Sequence, residues 1–514
     1  MVDGEVYATE RYREGEYITI LDKPVKEHYE FIGWYFSIDN IFKMGKQDIV
    51  LEGSFRFSDA KNYNLEFLPF KLSTEGGADA TADIVFNVGS DVTPASKVEF
   101  DLVMPSEWVD NYMIDNVQKN ADLGTRFYNL TNPVDNGDGS WHFTLEVKSA
   151  NYYFGKVPST KIGSFQVYQD GGGNDGNYAI AEGVYDVILN NVRVIIDGTE
   201  YKLPNYIGNL FVGSPKLVND WGVIRFAGNY SAPETLQLLT DALPDDDETI
   251  TTIDLTEVTA VPDNTEITVA NDNALVYVRD GISLANSKNV VVGDACDNLV
   301  ISDSKPFDAP IAFTANEVTY TRNITSRFGT ICLPYAVSSD ASVKYYTLDH
   351  VDGTTLYLAE QNEIAAGEPA IFENLAGGNS IDASSSNVAI QGSAVMPDEG
   401  ELKLIGTFKK LYITDPAELA KSYYISKDQF HQATNSLTVN PFRAYFTYEG
   451  SNASKVFNIT VDDDDVTAIG SFADENGAEV VAIYDVNGTK LNSLQKGVNI
   501  VKYSDGKTQK IVVR

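Results

Sequence analysis

The chain has 514 residues, more than a single hydrophobic core usually organises, and this length predicts roughly three to five domains. Its 74 acidic and 38 basic side chains give a formal net charge of −36, and such a field repels nucleic acid and anionic membranes. Apolar residues make up 43% of the chain, enough to exclude wholesale disorder. No apolar run reaches the ~18 residues of a membrane-spanning helix. Many Tyr, Phe, Val, Ile and Thr residues favour an all-β, multidomain protein.

Residues 1–57 form the first predicted unit. Its segments VDGEVY (2–7), KPVKEHYEFIGWY (23–35) and MGKQDIVLEGSF (44–55) resemble the Listeria-Bacteroides surface repeat. The resemblance implies a small β-grasp-like module in which Gly33 lets the backbone turn and Trp34 fills the core. No signal peptide precedes the first segment, so we expect the natural start to lie upstream.

Residues 58–232 show the clearest strand pattern in the chain. Apolar and polar residues alternate at 98–102, 141–147 and 185–189, and this period of two is typical of half-buried strands. Turns rich in Gly, Asn and Asp separate these segments. The pattern predicts a β-sandwich.

Two segments of this unit, VEFDLVMPSEW (98–108) and GVYDVILNNVRVIIDGTEY (183–201), resemble the cohesin-like domain of the carbohydrate-binding sandwich superfamily. Members of that family hold partners on a flat sheet face, typically calcium-loaded dockerins, and relatives bind polysaccharide. The resemblance therefore implies a protein-binding or glycan-binding module.

Several aromatic residues of the predicted sandwich are candidate ligand-binding residues. Such rings can form a platform for the flat apolar faces of sugars, or they can fill the core. His142 lies beside one of them and either faces the same sugar or is an ordinary strand residue. The candidates are Trp108, Trp141, Tyr152, Tyr153 and, beyond them, Trp221.

The sequence pattern changes in residues 233–308. Three similar apolar segments, 250–258, 273–281 and 297–305, recur at intervals of about 20 residues and predict a short β-ladder or β-helix. The acidic segment LPDDDET (243–249) is either a solvated loop or a calcium loop. It lacks the alternating acidic spacing of a cation-binding loop, so no motif supports calcium.

Residues 309–461 are predicted to form a second β-rich domain. The segments GTICLPYAV (329–337), AAGEPAIFE (365–373) and 422–448 resemble an uncharacterised domain that is frequent in surface proteins of gut Bacteroidales. The two cysteines, Cys296 and Cys332, lie in strand-like runs and are either two buried thiols or one disulfide, which would need an oxidising compartment.

Residues 467–514 follow a run of four aspartates and are predicted to form a small C-terminal β-sandwich of short strands. The order of YDVNG (484–488), LQKGVNIVKYSDG (494–506) and KIVVR (510–514) resembles the C-terminal sorting domain of the type IX secretion family. That family exports its cargo across the outer membrane, so the resemblance implies an extracellular or outer-membrane surface location.

No pattern indicates catalysis. The four histidines are scattered without metal-ligand spacing, and no G-x-S-x-G nucleophile elbow occurs. The sequence therefore predicts a non-catalytic, monomeric recognition or adhesion protein without a cofactor, which binds an extracellular protein or a polysaccharide through the cohesin-like sandwich. The alternative is a glycan-binding accessory protein of a polysaccharide-utilisation system, and a glycoside hydrolase is a distant third.

Overall fold

The computed structural model is all-β and built from several sheets, which confirms the predicted fold class. It describes residues 9, 24, 29–35, 52–57, 63–89, 95–110, 113–120, 128–130, 132–148, 159–169, 179–213, 222–397, 400–450, 454–461, 480–485, 488–491 and 497–513.

An antiparallel pair of strands represents the first predicted unit. Strand β1 (Tyr29–Tyr35) pairs with β2 (Glu52–Phe57), and the register shifts between Phe31 and Gly33, where the sequence predicted a turn of the backbone. The rest of the proposed surface repeat, and the side chain of Trp34, lie outside the described residues.

The second unit is a sandwich of two sheets that pack face to face. One sheet has the strand order β3-β5-β11-β7, and the other has the order β4-β14-β12-β6-β10-β8, with β9 beside β10 and β13 beside β12. Helix α1 (Ser106–Asp110) follows β6. The strands are β3 (Tyr63–Glu66), β4 (Phe70–Leu72), β5 (Asp79–Val88), β6 (Lys97–Val103), β7 (Ile114–Lys119), β8 (Tyr128–Leu130), β9 (Val134–Asp135), β10 (Ser140–Val147), β11 (Ser159–Tyr168), β12 (Gly183–Ile196), β13 (Thr199–Lys202) and β14 (Tyr206–Val212).

The alternation seen in the sequence fills the space between these sheets. Phe100 of β6 and Phe143 of β10 stack with ring centroids 4.7 Å apart, and Phe86 and Phe165 of the opposite sheet are buried in the same core. Strand β14 differs from the others because all seven of its residues are buried. One face of β14 packs in the sandwich core, and the other is covered by the next unit.

That next unit is a ladder of mostly parallel strands, as the recurring segments predicted. It extends beyond both predicted limits, 233 and 308, because a strand is added at each end. The strands β15, β16, β17 and β18 pair in parallel in this order, and β19 pairs in parallel with β20. Only β18 and β19 are antiparallel to each other within this run. The elements are β15 (Val223–Asn229), α2 (Pro233–Ala242), β16 (Thr252–Ala260), β17 (Leu275–Val278), β18 (Val290–Val292), β19 (Ala295–Ile301) and β20 (Phe313–Asn323).

Buried asparagines tie the turns of the ladder together. Asn273 is fully buried, donates to the carbonyls of Ser302 and Lys305, and accepts from the Ser302 N–H. Asn289 makes the same kind of bridge to both backbone groups of Val300. These amides satisfy backbone groups that would otherwise be buried without a partner.

The second β-rich domain curls into a barrel. Its main sheet has the order β21-β26-β23-β24-β35-β32-β31-β34-β29, with small pairs β22-β25 and β30-β33, while β27 and β28 pair with β20. The elements are β21 (Phe328–Cys332), β22 (Val337–Ser338), β23 (Val343–Asp352), β24 (Thr355–Gln361), β25 (Glu363–Ile364), β26 (Pro369–Asn374), β27 (Ser380–Asp382), β28 (Ser385–Ile390), β29 (Leu402–Thr407), β30 (Leu411–Ile413), α3 (Pro416–Lys421), β31 (Ser422–Ser426), β32 (Gln429–Gln432), β33 (Leu437–Val439), β34 (Arg443–Tyr448) and β35 (Val456–Val461).

The barrel is closed between β21 and β34 by a side chain. The buried Thr330 hydroxyl donates to the carbonyl of Ala444 at 2.7 Å and accepts from its N–H at 3.0 Å. Next to it, the Cys332 N–H donates to the carbonyl of Phe442 at 3.3 Å. The threonine therefore takes the place of regular strand pairing where β21, one end of the curled sheet, meets β34, the strand next to its other end.

The ladder and the barrel share one hydrophobic core. Phe307 of the ladder packs within 6.3 Å of both Phe408 and Phe442 of the barrel, centroid to centroid. Arg443 forms a bidentate ion pair with Asp303, both contacts at 2.7 Å. Residues of the two predicted units are thus packed into a single body.

Both cysteines are free and buried in that shared core, so the buried-thiol interpretation is confirmed over the disulfide. Cys296 lies on ladder strand β19 and Cys332 on barrel strand β21. Burial is the main cause that raises the pKa of the Cys296 thiol to about 11, and it raises the pKa of Cys332 further.

The C-terminal residues form a four-stranded antiparallel sheet of order β37-β36-β38-β39. Its strands are β36 (Val480–Asp485), β37 (Lys490–Leu491), β38 (Gly497–Tyr503) and β39 (Thr508–Val513). Gly506 has φ +84° in the turn between β38 and β39, a conformation that favours glycine. Ile483, Val501 and Tyr503 form the small core of this unit.

We expect Thr330→Val to weaken the barrel closure. The substitution keeps the shape of the side chain but leaves the buried N–H and C=O of Ala444 without their partner, which typically costs about 1–3 kcal/mol. Thermal unfolding followed by near-UV circular dichroism measures the loss. Thr438→Val, at an exposed position of β33, is the matched control. Equal stability of the two variants would show that Thr330 does not close the barrel.

We expect the free energy of unfolding to depend on pH because of Asp308, which lies at the junction of the ladder and the barrel. Burial raises the pKa of this carboxyl to about 6, although Lys409 partly offsets the effect, and its Oδ1 has no partner. Because the folded-state pKa is the higher one, the proton stabilises the fold at low pH, and this contribution is lost as the pH rises through about 6.

Asp308→Asn cannot ionise, so the stability of the natural chain relative to this variant should fall by about 2 kcal/mol between pH ~4 and ~7. Denaturant unfolding at several pH values measures the difference. Asp352→Asn, which removes an exposed carboxyl of the same body, is the control. A difference for Asp308→Asn that stays constant across this range would contradict the assignment.

Candidate functional site

The outer face of the larger sheet of the sandwich, with the order β4-β14-β12-β6-β10-β8, has a covered part and an open part. At the β12–β14 edge, Val184 and Phe211 pack into the core of the ladder, and Asn209 is only 1% exposed. Strands β6 and β10 carry no such cover among the described residues. A partner of the sandwich can therefore reach this sheet over β6 and β10.

We call the outward side chains of β6 and β10, together with Asn191 of β12, the open face. They alternate with Val98, Phe100 and Leu102, which point into the core, so they share the opposite side of the sheet. The register sets His142 opposite Asp101, Thr144 opposite Glu99 and Glu146 opposite Lys97. The open face consists of Lys97, Glu99, Asp101 and Val103 of β6, Ser140, His142, Thr144 and Glu146 of β10, and Asn191 of β12.

Asp101 is the centre of a hydrogen-bonded network on the open face. Its Oδ1 lies 2.7 Å from Nδ1 of His142, and its Oδ2 accepts from the Asn191 amide at 2.7 Å. The Thr144 hydroxyl lies 3.2 Å from Nε2 of His142, so both ring nitrogens are held. The Asp101 side chain is 19% exposed and that of His142 is 41% exposed. The network fixes the orientation of these groups while leaving them within reach of a partner.

A bulge in β12 delivers Asn191 to this network. The register between β12 and β6 shifts between Asn190 and Arg193, and Asn191 has φ +50°, a conformation that asparagine tolerates better than most residues. The extra residue turns the amide toward Asp101. Bulges of this kind commonly re-aim a side chain next to a functional site.

Carboxylates outnumber cations on the open face. Lys97 pairs with Glu99 at 2.6 Å, which leaves Asp101 and Glu146 without a lysine or arginine partner on the same face. Arg193, at the edge, is directed toward Glu200 at 3.9 Å. The face therefore presents a negative potential, in keeping with the charge of the whole chain.

The covered part is fixed to the ladder by buried polar groups. The Asn209 amide donates to Asp186 at 2.7 Å, and its oxygen accepts from the Ala227 N–H and the Tyr230 hydroxyl, both at 2.8 Å. Arg225 contacts Asp186 at 3.2 Å. Burial lowers the pKa of Arg225, but Asp186 and other nearby carboxylates more than offset this effect, and its pKa is raised.

The aromatic residues singled out in the sequence do not form one platform in the described part of the sandwich. Trp108 is only 3% exposed and packs edge-on against Tyr185 at 4.8 Å, so its assignment as a ligand-binding residue is corrected to a core residue. Trp141 is partly buried and packs against the same core. Tyr152, Tyr153 and Trp221 lie outside the described residues.

The described residues contain no group of three or more His, Cys, Asp or Glu side chains that could hold a metal ion. In the acidic segment 243–249, Asp247 accepts hydrogen bonds from the N–H and hydroxyl of Thr249, the pattern of an ordinary turn. Within the same described part, the helices are too short or too polar to cross a bilayer.

No protein-family model and no curated protein matches the chain. Solved structures similar to it include a cohesin module from a family 33 glycoside hydrolase of Clostridium perfringens, at 8% identity, covering 30% of this chain and 96% of that one, with a TM-score of 0.22. The seventh ScaB cohesin of Pseudobacteroides cellulosolvens matches at 15% identity, with coverages of 30% and 96% and a TM-score of 0.22. The third ScaC cohesin of Acetivibrio cellulolyticus, solved with the ScaB dockerin, matches at 12% identity, with coverages of 29% and 99% and a TM-score of 0.22.

Proposed function

We propose that this chain is a non-catalytic recognition or adhesion protein of the cell surface, which engages a protein partner through the open face of its sandwich. The observation that carries the proposal is the Asp101 network, in which a carboxylate, an imidazole and an amide are held in fixed positions and remain accessible. Binding that uses pre-positioned groups loses less side-chain entropy than binding that must order them.

The chemistry of the open face favours a protein over a sugar. Apart from Val103, its side chains are charged or hydrogen-bonding, and no pair of aromatic rings stacks on it. The glycan alternative at this unit rested on a platform that included Trp108, whose ring is buried. A broad polar surface with fixed charges is typical of a protein–protein contact.

The partner expected from this surface presents arginine or lysine side chains. Asp101 offers a carboxylate that already accepts from His142 and Asn191, and further acceptor positions remain on its two oxygens. Guanidinium groups match carboxylates in a bidentate geometry. The association should therefore weaken as the salt concentration rises, because screening shortens the reach of these charges.

The other units take supporting roles in this proposal. The N-terminal repeat would serve as a stalk, the ladder and barrel as a spacer or second binder, and the C-terminal sheet as a sorting tag for export. The chain would act as a monomer without a cofactor. The glycan-binding accessory function remains the alternative, and hydrolase activity a distant third, because the histidines are scattered and no metal spacing occurs in the sequence.

The partner proposal is tested with Asp101→Lys in the full chain. The natural chain and the variant are immobilised, exposed to surface and secreted proteins of the source organism, and the retained proteins are quantified by mass spectrometry. We expect at least one protein to be retained about tenfold less by Asp101→Lys, since replacing an attraction by a repulsion costs more than 1.4 kcal/mol.

The matched control is Asp83→Lys on the opposite sheet, where Asp83 contacts Lys161 at 2.7 Å. This variant should retain the partner at the natural level, and circular dichroism should show both variants folded. If every retained protein binds Asp101→Lys and the natural chain equally, the open face is not the binding surface.

The sorting role predicts that residues 467–514 are needed for delivery and not for partner binding. Deleting this segment should leave the protein inside the source cell, while the purified remainder still retains the partner. Cell fractionation with an antibody against the barrel measures the location. Normal surface levels of the truncated protein would contradict the role, and aggregation of the purified remainder would assign these strands to the preceding body.

A further inference from the structure

The barrel has a second surface with binding chemistry, on the outer side of neighbouring strands β23, β24, β35, β32 and β31. Alternate residues of these strands fill the barrel interior, among them Leu356, Leu358, Phe430 and Phe457. The residues between them therefore face outward. We call this outward surface the barrel face.

Two pairs of aromatic rings lie on the barrel face. His350 and Tyr357, directly opposite each other on β23 and β24, are stacked with ring centroids 4.4 Å apart and planes at 4°. Tyr424 and His431, opposite each other on β31 and β32, lie 5.9 Å apart with planes at 35°. The His350 side chain is 53% exposed and Tyr424 is 41% exposed, so both pairs are open to solvent.

The two pairs occupy opposite corners of the barrel face. Tyr357 is opposite Thr460 and His431 is opposite Val456, four residues apart on the shared neighbour β35. This register separates the nearest members of the two pairs, Tyr357 and His431, by roughly 13 Å along the strands and roughly 10 Å across them. A ligand that touches both pairs must therefore be an extended chain rather than a single small molecule.

On β24, β35, β32 and β31, the row between the pairs holds only uncharged hydrogen-bonding side chains. Gln429 donates to Asn458 at 2.7 Å, and the register continues this row through Thr355 on one side and Ser426 on the other. Amides and hydroxyls that can both donate and accept match the hydroxyl groups of sugars. None of these four contributes a charge. On β23 the row ends at Asp352, opposite Thr355, and Asp349 lies 2.6 Å from Nδ1 of His350.

We infer that the barrel face binds a neutral polysaccharide chain. The exposed rings offer apolar surfaces for the C–H faces of sugar rings, and the row between them offers hydrogen-bonding groups without a charge to be desolvated. Anionic glycans are excluded, because Asp349, Asp352 and the net charge of −36 of the whole chain repel them. This site is separate from the open face of the sandwich and does not depend on the function proposed for it.

Cross-strand aromatic pairs also stabilise sheets, so the test must separate binding from folding. Tyr357→Ala and Tyr424→Ala each remove one ring of a pair. Tyr412→Ala is the matched control, because Tyr412 is 63% exposed on β30 of the same body and has Lys410 over its ring. Thermal unfolding of all three variants shows which of them keep the barrel intact.

Affinity gel electrophoresis of the full chain measures binding to soluble xylan, galactomannan, mixed-linkage β-glucan and amylopectin, with polygalacturonate as the anionic comparison. We expect at least one neutral polymer to retard the natural chain, and each of Tyr357→Ala and Tyr424→Ala to weaken the binding about tenfold, the upper range for one aromatic contact. Tyr412→Ala should bind as the natural chain does.

Three outcomes would overturn the inference: retardation by none of the neutral polymers, retardation by polygalacturonate alone, or unchanged binding of both tyrosine variants. If the tyrosine variants have lost the barrel fold, Tyr357→Leu and Tyr424→Leu replace them, since leucine preserves apolar surface on the strand and removes the ring. Binding that survives in both leucine variants counts against the site in the same way.

Discussion

The docking of the sandwich on the ladder depends on a buried amide. Asn209 lies in the middle of β14, whose two faces are both covered, and neither of its polar atoms can reach water. It can be buried there only because Asp186, Ala227 and Tyr230 complete its hydrogen bonds. Those partners come from both the sandwich and the ladder, so the amide is satisfied only when the two units are docked in one register.

This docking decides which part of the sandwich is available to others. The β12–β14 edge is used for attachment to the ladder, and the β6–β10 side stays open. Since the ladder in turn shares its core with the barrel, the open face and the barrel face are both mounted on well-packed elements. Binding groups held in this way keep their geometry better than groups on isolated loops.

The sequence predicted those features that follow from local periodicity. Alternation identified the core of β6 and β10, and the spacing of about 20 residues identified the ladder. It did not show that Val223–Asn229 joins the ladder, because the periodicity of one short run does not say which sheet the strand pairs into. Val290–Val292 was missed because a run of three residues is too short to show a period.

The site residues, too, could be predicted from the sequence only where they follow from local periodicity. His142 was noticed as a strand residue beside Trp141, but Asp101 and Asn191 become its neighbours only through strand pairing and a bulge. Trp108 carried a functional signal as an aromatic residue, yet its ring packs against Tyr185 in the core. One sequence signal could have pointed to Asp101. It lies between the apolar residues Phe100 and Leu102, and alternation therefore places its side chain on the solvent side of the strand.

The two free cysteines give the molecule internal reporters of its own motions. A thiol reacts with an alkylating reagent as its thiolate, and burial both shields these sulfurs and raises their pKa values. Cys296 and Cys332 belong to different strands of the core that joins ladder to barrel. The rate at which each is modified in the folded protein would thus follow the opening of that joint, and a difference between the two rates would show whether ladder and barrel open separately or together.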